Sequence, residues 1–118
     1  MTQDRIPVII NPPDLTLKYQ GIFAPTSGIS GSGIVKIYLE DTLFKLVLEN
    51  YSISNGPDLK VYLSKSNTPT DFINLGNLNA STVYSIPQNI DLNTYKFVLI
   101  HCQQYNHLFA VAELIKNW

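Results

Sequence analysis

Along this chain apolar residues recur at every second position in short runs, and no window of ten or more residues carries the period of a helix. The sharpest case is the stretch from Ser52 to Ser64. Asn55 and Gly56 tolerate positive φ, Pro57 presets a turn value, and the Asp58 carboxylate can accept from nearby backbone N–H groups. Leu59, Val61 and Leu63 then alternate with Lys60, Tyr62 and Ser64, the pattern of a strand with one buried face. Further strands are predicted over Leu15–Ala24 (with a bulge or bend at Gly21), Ile34–Leu39, Phe44–Leu48, Phe72–Leu75, Thr82–Ile86 and Ala110–Ile115. Glu40-Asp41 turns the second into the third, and Asp91 can cap a single helical turn. Lys96–Cys102 is almost continuously apolar and predicts a strand covered on both faces. Seven or eight short strands spaced by about 8–12 residues describe an all-β, antiparallel β-sandwich or barrel-like domain.

A chain of 118 residues makes one domain. Pro7, Pro12 and Pro13 make residues 1–14 an irregular lead-in, as much the tail of an anchor or signal segment as part of the fold, and leave 15–118 as the domain. A formal net charge of −1, with no Lys/Arg cluster, argues against a nucleic-acid partner. No apolar run approaches the roughly 20 residues of a membrane-spanning helix. Met1-Thr-Gln-Asp-Arg has no apolar signal segment behind it, so the chain is either cytosolic or an exported one whose signal has been replaced by a start Met. Gly28, Gly31 and Gly33 lie in a loop, Pro25–Gly33, with no Gly-Lys-Ser/Thr after them, which argues against a phosphate cradle.

The residues with chemical potential are few. Cys102 is the chain's one cysteine, so it has no internal disulfide partner. His101 precedes it, and on a strand their side chains point to opposite faces; if Val98 and Ile100 face the core, so does Cys102. His107 lies beyond a turn at Gln104–Asn106 and can fold back towards either residue. A reactive thiol needs partial exposure and a cationic neighbour; an apolar surround makes it an inert small hydrophobe. His101, Cys102 and His107 lack the paired spacing of a zinc site, so no metal is assigned. No axial pair for haem is recognisable either, and no cofactor is identified. Asn50-Tyr51-Ser52 and Asn79-Ala80-Ser81 are glycosylation sequons, relevant only in a eukaryotic secretory pathway.

Several segments come together in a familiar order: Gly21-Ile-Phe, Gly31-Ser-Gly-Ile-Val-Lys-Ile, Leu46 to Ser64 with its Asn-Gly-Pro-Asp-Leu, Asn74-Leu-Gly-Asn-Leu, Tyr84-Ser-Ile-Pro, Tyr95-Lys-Phe-Val-Leu-Ile-His-Cys and Phe109-Ala-Val-Ala-Glu-Leu. In this the chain resembles the DM-thirteen (DM13) domain over residues 20 to 115. The resemblance implies an extracytoplasmic electron-transfer or redox-related domain, periplasmic or at the cell surface and membrane-tethered through a removed N-terminal segment. It would work with a redox partner protein and turn over no substrate by itself. Cys102 matches the family's characteristic cysteine and Asp58 its turn aspartate; His101 and His107 would tune the thiol, and the Asn55–Asp58 turn would shape its surroundings. Ala110 stands where the family often has Gly, and Gln103-Gln104 replaces a more basic pair, which removes positive charge that would favour a thiolate. The alternative is a binding or adhesion module with a structural, buried Cys102 and ligand contacts from Tyr38, Tyr62 and Tyr105.

Overall fold

The structure, a computed structural model, describes residues 15–78 and 82–117. The lead-in over 1–14, the second sequon and Trp118 lie outside the described residues.

Ten strands follow one another: β1 Leu15–Ile22, β2 Ala24–Pro25, β3 Gly31–Glu40, β4 Leu43–Ile53, β5 Leu59–Ser64, β6 Ile73–Asn77, β7 Val83–Ile86, β8 Phe97–Cys102, β9 His107–Glu113 and β10 Ile115–Lys116. They form two antiparallel sheets of five, in the orders β10-β1-β3-β4-β7 and β2-β9-β8-β5-β6. The all-β expectation holds, and the two sheets pack as a sandwich. The count exceeds eight because β2 and β10 are two-residue strands, too short to leave an alternation in the sequence.

Both short strands mark places where the chain changes sheets. At Phe23, between β1 and β2, it crosses from the first sheet to the second, and at Leu114, between β9 and β10, it returns. Phe23 and Leu114 are buried, so each crossing also plugs the sandwich edge. Two boundaries expected from sequence shift accordingly. The irregularity in β1 lies between Leu17 and Tyr19 rather than at Gly21. The last long strand opens at His107, not Ala110, and ends at Glu113. The glycine loop is also shorter than predicted, because β3 already begins at Gly31.

The core lies between the sheets. Val35, Ile37, Leu46 and Leu48 face it from the first sheet; Leu59, Val61, Leu63, Val98 and Ile100 face it from the second. Each such aliphatic side chain contributes roughly 1.5–3 kcal/mol on burial, so the packed alternation holds the sheets together. The outer face of the second sheet is covered as well. On β5 Tyr62 and Ser64 are as buried as their core-facing neighbours, and on β8 so are Leu99 and His101. The expectation of a half-exposed β5 is thus corrected. Phe72 stacks on Tyr62, and the 65–71 loop folds over Ser64, whose hydroxyl donates to the carbonyls of Thr68 and Thr70 at 3.0 and 3.1 Å.

A shielded thiol at the end of the sandwich

Cys102 is the last residue of β8, and the elements beside it set its surroundings. Its ladder partners are Leu59 on β5 and His107 on β9. Residues directly opposite in an antiparallel pair share a face, so all three look towards the sandwich interior. The thiol is 1 % exposed and belongs to the hydrophobic core. His107, by contrast, is exposed.

A bulge shapes this end. Ile100 pairs with Ala110 and His101 with Leu108, which leaves Phe109 as the extra residue on β9. Its ring is buried in the core, edge-on to His107 at 4.9 Å between centroids. The Asn55–Asp58 turn closes over the same ring: a Cβ added at Gly56 would sit 3.0 Å from both Phe109 Cζ and Leu59 Cδ2. The Gln103 N–H donates to the Asp58 carbonyl at 3.0 Å, tying this turn to the β8–β9 connection. The turn predicted as the sharpest local signal therefore shields the thiol, through its backbone and Gly56 rather than through its carboxylate.

The Asp58 carboxylate instead pairs with Lys60 Nζ at 3.1 Å, and Lys60 also donates to Asn77 Oδ1. Asn55 points away from Cys102's surroundings and lines a polar groove with Ser30, Gly31, Ser32, Ser52 and Ser54. Of the residues singled out from sequence, the structure brings Cys102, His107 and the Asp58 backbone together and sets Asn55 apart.

His101 faces the other side of the sheet, as strand alternation requires. It is 4 % exposed, and its Nε2 lies 3.0 Å from Asn106 Oδ1. With that oxygen as acceptor, Nε2 carries the proton and Nδ1 is a bare acceptor. Nδ1 is buried and has no hydrogen-bond partner among the described residues. The imidazole stacks on Tyr62 at 5.3 Å between centroids and 30°, and Tyr62 stacks on Phe72 at 4.1 Å and 16°. Burial, reinforced by the nearby negative charge of Asp58, pushes the Tyr62 phenol above its ordinary pKa. Tyr62, only 2 % exposed, cannot serve as the surface contact the binding alternative assigned to it; Tyr105, 67 % exposed, can. The three-ring stack escaped the sequence because it joins residues from β5, β8 and the approach to β6, and only their pairing reveals it.

Among the described residues no group of three or more His, Cys, Asp or Glu side chains is placed to hold a metal ion. No described helix is long and apolar enough to cross a membrane.

The fold and this end of it define a class: a two-sheet β-sandwich that encloses a single thiol beneath a turn and a bulge. Residues 26–114 match the family model described as "Electron transfer DM13", and the chain belongs to the DM13 family. No curated protein and no solved structure is significantly similar to it.

Proposed function

We propose that the domain works outside the cytoplasm in electron transfer, with Cys102 as its redox group and a protein as its electron partner. The observation that carries this reading is the placement of the chain's one thiol, 1 % exposed, opposite a solvent-facing imidazole within a family described by electron transfer. Enclosure opposes thiol–disulfide exchange, which needs direct attack at sulfur. It does not oppose outer-sphere transfer, which needs no contact between sulfur and partner. Cys102 gives one electron to an oxidised partner and its proton to His107, which passes it to water; reduction reverses both steps. Asp58, through its backbone, and Asn55, at the start of the same turn, shape the enclosure, and the isolated domain turns over no substrate. A membrane tether N-terminal to the described sandwich would hold it beside its partner.

The test is titration of the native, reduced protein with a one-electron oxidant of the ferricyanide class, beside Cys102→Ser. The expected result is electron uptake in the wild type that the variant lacks. Equal uptake by both proteins removes Cys102 from the reading.

One observation favours a second reading, a binding module with a structural cysteine. Ile22 is 76 % exposed and lines an open groove of about 620 Å³ with Ile34, Ile115, Gln20 and Lys36. Under that reading Cys102→Ser leaves partner or glycan binding unchanged, while Ile22→Ser abolishes it.

A further inference from the structure

We infer that Tyr62 is a redox-active tyrosine relaying single electrons between a partner docked over Phe72 and Cys102, with His101 Nδ1 as the base that holds the phenolic proton. This rests on the electron-transfer reading above and adds a route to it.

Three observations converge. First, the rings form a continuous stack from the surface inward: Phe72 is 41 % exposed, Tyr62 and His101 are buried, and His101 is covalently joined to Cys102. Electronic coupling falls steeply with distance, so rings in contact provide a path that a sheet edge of aliphatic side chains does not. Second, the ring against Tyr62 carries a buried acceptor with no partner among the described residues. Such atoms are rare in folded proteins and invite a functional reading. The other charged groups near this face, Asp58 and Lys60, are paired with each other. Third, a phenol buried beside a carboxylate resists becoming an anion. Its oxidation is therefore best coupled to proton loss, which yields a neutral radical that neither burial nor Asp58 penalises.

The step balances as follows. An oxidised one-electron partner takes an electron from Tyr62; the phenolic O–H bond breaks and an N–H bond forms at His101 Nδ1. The tyrosyl radical then takes an electron from the Cys102 thiol, the proton returns from Nδ1 to the phenol oxygen, and the thiol proton leaves through His107.

The experiment is laser flash oxidation of the full chain by a photogenerated ruthenium(III) polypyridyl complex, followed by transient absorption and electron paramagnetic resonance. A Tyr105→Phe background removes the most exposed tyrosine. In Cys102→Ser, where the radical has no thiol to drain to, a long-lived tyrosyl signal is expected; adding Tyr62→Phe, which keeps the stacked ring, lowers its yield about tenfold, or about 1.4 kcal/mol in the barrier. His101→Phe keeps a ring but removes the base, so radical formation slows by about a hundredfold and loses its deuterium-solvent isotope effect. A yield indifferent to Tyr62→Phe, or a rate indifferent to His101→Phe, overturns the relay. The two readings fail separately: a Tyr62 radical no shorter-lived with Cys102 present removes the thiol, whereas Cys102 oxidation equally fast in Tyr62→Phe removes the relay.

Discussion

Cys102 and His107 stand directly opposite each other across the β8–β9 ladder, one sealed in the core and the other in solvent. The pairing follows from the length of the connection, since residues 103–106 turn the chain and Asn106 closes the turn at φ 50. Asn adopts this left-handed backbone more readily than most residues. A turn one residue shorter would change the register and carry His107 to the other face.

Burial of the thiol makes a first prediction. Native protein should resist a small thiol reagent, with labelling only as fast as the sandwich end opens. Cys102→Ala should lower stability by about 1–2 kcal/mol through the small void it leaves. Cys102→Ser should cost about 1–3 kcal/mol because its hydroxyl enters an apolar site. Urea midpoints at unchanged slope check both substitutions; rapid labelling of the native protein would contradict the enclosure.

Gly21 makes a second. A Cβ there would lie 2.5 Å from the Glu113 carbonyl oxygen, at a point where β1 of the first sheet meets β9 of the second. Backbone on both sides leaves little room to yield, so Gly21→Ala should cost about 1–3 kcal/mol. Gly28, at φ +84, has nothing within 4 Å of its Cβ position, and Gly28→Ala should carry only the conformational penalty of about 1 kcal/mol. Thermal unfolding of the two variants measures the difference; equal effects would mean that the sheets separate freely at Gly21.

Ser64 makes a third. Its buried hydroxyl gathers the carbonyls of Thr68 and Thr70, which places the loop leading to Phe72. Ser64→Ala should destabilise by about 1–3 kcal/mol, the cost of leaving buried polar groups without a partner. Amide exchange should quicken in residues 65–71 ahead of β5 and β8. Uniform quickening across the sandwich would instead assign Ser64 a global role.

Much of this architecture was legible in the sequence, and the exceptions have physical causes. Leu59–Ser64 matches β5, and the apolar run ending at Cys102 matches a strand buried on both faces, because alternation and continuity report burial directly. Cys102 facing the core and His101 facing away followed from the same period. The sheet crossings at Phe23 and Leu114 were not legible, since a two-residue strand has no period. Nor was the burial of Tyr62, which depends on Phe72 arriving from another part of the chain. Asn55 and Asp58, three residues apart in one turn, were grouped by proximity in sequence; the turn's geometry sends the Asn55 side to the serine groove and the Asp58 carboxylate to Lys60.

Tyr62 makes a prediction about alkaline stability whose sign can be worked out. Burial first, then the negative charge of Asp58, raises the phenol's pKa in the folded protein above its ordinary value of about 10. The unfolded chain therefore releases this proton at lower pH than the folded one does. Its contribution to stability is complete below about pH 10 and is lost as pH rises through the raised value. Tyr19 is raised in the same sense, by burial and then by Asp91, and should add a parallel loss. Guanidinium midpoints measured from neutral pH to about pH 11 should fall less steeply for Tyr62→Phe than for the wild type, and less steeply again for the double variant with Tyr19→Phe. If Tyr62→Phe loses stability as steeply as the wild type, the phenol is not held neutral by its surroundings, and the charge argument for its proton-coupled oxidation fails with it.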